Sequence, residues 1–63
     1  MDALEVIVSQ SDDKISQLKD YVATGRCSSF EEYKNLCGEI RGLLIARGYV
    51  LDLQEKLENL DDE

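Results

Sequence analysis

Residues 29–60 read SFEEYKNLCGEIRGLLIARGYVLDLQEKLENL, and this stretch decides the fold. Its opening holds two overlapping capping boxes, Ser28 with Glu31 and Ser29 with Glu32. In such a box the serine hydroxyl accepts from an unpaired backbone N–H, and the glutamate three residues on reaches back to the cap. Glu31 and Glu32 also sit at the positive end of the helix dipole. The chain has no proline, so nothing forces a stop before the acidic end Asp61-Asp62-Glu63. Within the stretch, Tyr33, Leu36, Ile40, Leu43, Val50, Leu53, Leu57 and Leu60 step by three and four, apart from one longer step over Ala46 and Arg47. Cys37, Leu44 and Leu51 widen the stripe on one flank. This periodicity belongs to a core-facing helix and predicts a long second helix over about 29–60.

Small residues interrupt that helix. Gly38, Gly42 and Ala46 fall four apart, with Gly48 nearby. Each glycine inside a helix costs about 1 kcal/mol relative to alanine, so the spacing points to close approach of another backbone. Membrane helices use it for dimer contacts. Here the longest apolar run is Leu43–Ala46, far short of the roughly 20 residues that span a bilayer. The partner backbone is therefore either the first helix of the same chain or a second chain, and the spacing leaves both open.

Upstream, Asp2-Ala3-Leu4-Glu5 is a helix start with Asp2 as cap. Leu4, Val8, Ser11, Ile15, Leu18 and Val22 then step four, three, four, three, four, which predicts a first helix over about 2–23. Ser11-Asp12-Asp13 could instead cap a fresh helix, so a break at residues 9–11 is the alternative. Thr24-Gly25 supplies a left-handed terminus. The turn at about 24–28 is short enough to force an antiparallel hairpin.

Folding the chain about residue 26 brings together residues whose numbers total roughly 52. Leu18 then meets Tyr33 and Leu36, and Ile15 meets Cys37 and Ile40. Asp12 falls near Arg41 and Glu5 near Arg47, which predicts carboxylate pairs for both arginines, across the hairpin or to a second subunit. The lengths do not match. A first helix of about 33 Å faces a second of about 46 Å at 1.5 Å per residue. Leu53, Leu57 and Leu60 overshoot the partner, and exposed apolar rows mark interfaces.

Composition narrows the function classes. The chain has 63 residues, no histidine and a formal net charge of −7. A two-helix chain this short has no third wall to close a core, and association is the remaining device. No His-based metal site or general base exists, and no cofactor or small-molecule substrate is expected. The acidic balance argues against nucleic acid and against an anionic membrane surface as partners. Cys27 and Cys37 are ten residues apart along mostly helical rise, too far for a bridge, so free thiols and a reducing compartment are expected. Residues 1–11 lack the basic start of a signal peptide.

The run Glu32-Tyr33-Lys34-Asn35-Leu36-Cys37-Gly38-Glu39-Ile40-Arg41-Gly42-Leu43, with Ala23-Thr24-Gly25 before it and Tyr49-Val50-Leu51-Asp52-Leu53 after it, resembles short helical proteins of tailed bacteriophages. Those are encoded among virion structural genes of podovirus type. The resemblance implies a setting and not a mechanism: a minor virion or assembly component of the host cytoplasm, with incorporation in the particle left open. A second resemblance, in the acidic hairpin of this size with a Gly-containing turn and a Tyr-x-x-Leu opening, is to small co-chaperones of type III secretion needle subunits. The Gly-Glu-Ile-Arg-Gly core is not part of that pattern.

The reading is an all-α, two-helix antiparallel hairpin with a longer second helix, assembled into a homo-oligomeric, four-helix bundle. It acts without catalysis, through helix–helix contacts with itself and with a larger protein. The interface residues are Gly38, Gly42, Ala46, Leu53, Leu57 and Leu60. The alternatives are a co-chaperone, which a partner helix would stabilise in fixed ratio, and an acidic inhibitor of a host nucleic-acid enzyme, whose affinity would fall steeply with salt.

Overall fold

The computed structural model describes residues 2–61, which form two α-helices and no strand among the described residues. Helix α1 spans Ala3–Ala23 and helix α2 spans Phe30–Asp61. They pack against each other as an antiparallel hairpin, 53 Å in its longest dimension. Neither is long and apolar enough to cross a membrane.

Local chemistry sets the ends. The Asp2 carboxylate accepts from the Glu5 N–H at 2.8 Å and caps α1. At the other end the Arg26 N–H donates to the Tyr21 carbonyl and the Gly25 N–H to the Val22 carbonyl. This is the Schellman pattern, and it needs the left-handed φ of 73° that Gly25 adopts. Helix α2 starts where the Ser29 hydroxyl accepts from the Glu32 N–H at 3.1 Å. Glu32 does not close the box on Ser29. Its carboxylate accepts instead from the N–H and hydroxyl of Ser28, at 2.9 and 2.6 Å.

Helix α1 runs unbroken through residues 9–11. The Ser11 hydroxyl donates back to the Ile7 carbonyl at 2.8 Å and so starts no new helix. Its inward face is the expected one, Leu4, Val8, Ser11, Ile15, Leu18 and Val22. Among the described residues only Ile15 and Leu18 are buried, at 5% and 8% exposure.

The inward face of α2 differs from the expected stripe. The half-buried row is Leu36, Ile40, Leu43, Arg47, Val50 and Gln54. Its steps of four and three continue without a gap because Arg47 occupies the place the stripe was expected to skip. Tyr33, assigned to that stripe by sequence, is exposed, and Leu53 and Leu57 are exposed as their overshoot predicts. The arginine fits because its aliphatic stem covers the seam while its head reaches polar company.

Candidate interaction surface

That polar company is Asp12. Arg47 Nε donates to one Asp12 carboxylate oxygen at 2.5 Å and Nη2 to the other at 3.5 Å. The sequence placed Asp12 beside Arg41 and Glu5 beside Arg47, and the pairing is corrected here. Neither Arg41 nor Glu5 makes an intrachain ion pair among the described residues. Residue numbers across the contact total 59, not 52. Helical side chains lean toward the N-terminus of their own helix. In α2 that direction is toward the turn and in α1 it is away from it, so the two side chains lean toward each other across the seven-residue offset.

Ile15 lines one groove with Leu44 and Arg47, while Ile40 lies on the half-buried row of α2. On the opposite side Leu18 lines a groove with Leu36, as expected, and Cys37 is exposed.

The turn carries a polar hub that the sequence reading missed. The Tyr21 hydroxyl donates to Glu32 Oε1 at 2.9 Å while Ser28 donates twice to Oε2. The bonds from Ser28 and then from Tyr21 hold the Glu32 carboxyl below the usual carboxylate range. The same bond to Glu32 raises the Tyr21 phenol above its ordinary value. The available signal was spacing: Tyr21 and Glu32 flank the connector at similar distances from it. Partial burial, followed by the charges of Glu32 and Cys37, pushes the Cys27 thiol upward. It is therefore a weak nucleophile.

The small residues do not serve the hairpin. A Cβ built on Gly38, Gly42 or Gly48 meets nothing within 4 Å, and Ala46 is exposed. Of the two partner backbones left open by the spacing, α1 is ruled out. Leu53, Leu57 and Leu60 are also uncovered, Leu60 at 64% exposure.

Two grooves define the two faces of the hairpin. One is lined by Lys14, Gln17 and Tyr21 of α1 and by Leu36 and Glu39 of α2. Seven residues are two helical turns, so a step of seven stays on one face. From Lys14 that step leads to Ile7. From Glu39 it leads to Ala46, Leu53 and Leu60, and from Leu36 to Leu43, Val50 and Leu57. Toward the open end α2 is therefore apolar on this face, and α1 contributes Ile7 beside the polar Gln10, with Ile7 at 44% and Leu53 at 45% exposure. On the other face, Leu44 leads to Phe30, Cys37 and Leu51, but its α1 wall is Asp12, Ser16 and Lys19. The predicted interface residues thus share one face of α2, and Ile7 joins them from α1.

Comparison of the chain with protein-family models, with curated proteins and with solved structures finds no match.

Proposed function

We propose that the chain is a non-enzymatic assembly unit whose hairpins associate through helix faces into a bundle, in a virion or virion-assembly setting. The observation that carries this reading is the amount of surface left uncovered. A compact chain of 7.1 kDa exposes about 4,100 Å², whereas this chain exposes 4991 Å². The excess, roughly 900 Å², matches the ~800 Å² that one partner contributes to a standard interface. Tyr49 at 70% and Leu60 at 64% exposure are among the large apolar side chains left uncovered. A hairpin with two buried side chains is a unit that a further wall completes.

The setting rests on the resemblance of residues 32–53 to short helical proteins of tailed phages. On this reading the protein acts in the cytoplasm of an infected cell, bound to itself and to a larger virion protein, and the particle is the second location to test. Mass spectrometry of gradient-purified particles and assembly intermediates from the phage that encodes the chain tests this. Recovery at a fixed copy number is expected, and absence from both overturns the setting. Light scattering tests the assembly reading independently: a dimer or larger form that survives high salt is expected, and a monomer overturns it.

A further inference from the structure

Resting on that assembly reading, we infer that the occupant of the Ile7–Leu53 face is a second copy of this chain. The two α2 helices lie antiparallel about a twofold axis beside Tyr49 and Val50. Three observations fix the partner and the direction.

The first is the order of side-chain sizes along the exposed row. Gly42, Ala46, Tyr49, Leu53, Leu57 and Leu60 step by four, three, four, four and three, with Gly38 one turn ahead. Small residues occupy one half and leucines the other. An isologous twofold contact must fit itself. If the residue numbers of facing positions total 99, Ala46 meets Leu53, Gly42 meets Leu57, and Gly38 comes beside Leu60. Each leucine then fills space that a glycine or alanine leaves open, since nothing lies within 4 Å of a Cβ at Gly38 or Gly42. A parallel pair would set leucine on leucine at one end and leave a gap at the other.

The second is charge. Within the overlapping residues, 38–48 carry Arg41 and the Asp12-paired Arg47 against Glu39. Residues 50–60 carry Asp52, Glu55 and Glu58 against Lys56 alone. Antiparallel packing sets the basic half of each α2 against the acidic half of its mate, and also opposes the two helix dipoles. Parallel packing would stack like charge on like.

The third is area. Residues 38–61 overlap in this arrangement, about 36 Å of helix at 1.5 Å per residue. The roughly 900 Å² of excess surface is the size of one half-interface. The face with Ile7 is favoured over the face with Leu44 because the exposed Ile7 adds an apolar side chain from the open end of α1, whereas the α1 side of the other groove carries Asp12, Ser16 and Lys19.

Single cysteines in a Cys27→Ser, Cys37→Ser background test the direction, with light scattering on the same samples. Tyr49→Cys sits beside the axis and is expected to form a covalent homodimer under mild oxidation or with a short bis-maleimide. Leu60→Cys lies some 16 Å along the helix from that axis at 1.5 Å per residue and is expected to stay uncoupled with itself. Mixing Ala46→Cys chains with Leu53→Cys chains is expected to give the mixed dimer over either homodimer. A dimer that couples through Leu60→Cys and not through Tyr49→Cys overturns this inference and leaves the assembly reading intact. A monomer with native helix content overturns both.

Discussion

Glu32 ties the turn together by accepting from Ser28 twice and from Tyr21 once. Because the folded state holds its pKa below the ordinary value of about 4.3, the bound carboxylate favours folding above that value. The contribution is lost as pH falls through the lowered pKa. Tyr21 works in the opposite sense. Its raised pKa favours folding up to the ordinary value near 10 and is lost as pH rises through the folded value. Glu32→Gln keeps an acceptor and removes the charge. The stability gap between wild type and Glu32→Gln is therefore expected to be constant near neutrality and to close at acid pH, read from urea midpoints across pH. A gap that persists at pH 2 would show that the charge is not the active feature.

The Asp12–Arg47 pair is half-exposed, with side-chain exposures of 49% and 33%. Its coupling in a double-alanine cycle should be below about 1 kcal/mol and should fall with salt. Arg47→Leu joins Leu43 to Val50 in one apolar seam. We expect it to raise the melting midpoint by about 4–8 °C, equivalent to about 1 kcal/mol for a chain of this size, and to loosen the register that the arginine fixes.

At the scale of the elements, the three glycines of α2, Gly38 and Gly42 exposed and Gly48 half-buried, separate the hairpin from the proposed assembly. Gly48→Ala lies away from the Gly42–Leu57 row and is expected to raise stability by about 1 kcal/mol through helix propensity alone. Gly42→Ala gains the same propensity but adds a methyl where a second backbone approaches. It is expected to raise the helicity of the dilute chain while weakening its association, read together by circular dichroism and light scattering. Equal stabilisation by the two substitutions, with unchanged mass, would place Gly42 outside any interface. Gly25→Ala is different again, because its φ of 73° is costly for any residue with a Cβ, by about 1 kcal/mol.

The elements also show what a sequence reveals. The α1 stripe and the caps at Asp2, Gly25 and Ser29 were legible, because local periodicity and local hydrogen bonds determine them. The α2 seam was legible only in part. Hydropathy skips an arginine, so the row was routed past Arg47 to Leu53 and Leu57 instead of through Arg47 to Gln54. The ion-pair partners across the hairpin were misread for a related reason: numbering measures Cα levels, whereas contact is made by side-chain tips that lean along the helix. The Tyr21–Glu32 hub escaped notice because neither residue is unusual until the turn brings them within 2.9 Å.

For the whole molecule, the governing quantity is surface without a partner. The charge of −7 per chain opposes association at long range, while an apolar face favours it at contact. Added salt screens the first and leaves the second. The mass average at fixed protein concentration is therefore expected to rise between about 10 and 150 mM salt and to hold beyond it. A fall with salt would mean that ion pairs, and not the leucine row, join the chains. Replacing Leu53 and Leu57 together by serine should bring the mass to that of a monomer at any salt.

The central claim is that folding is completed by assembly, and thermal unfolding followed by circular dichroism over a hundredfold range of protein concentration tests it most directly. If a second copy supplies the missing wall, mass action requires the melting midpoint to climb steadily with concentration. A midpoint that stays fixed across the range would mean that the hairpin is complete as a single chain, and would contradict the account.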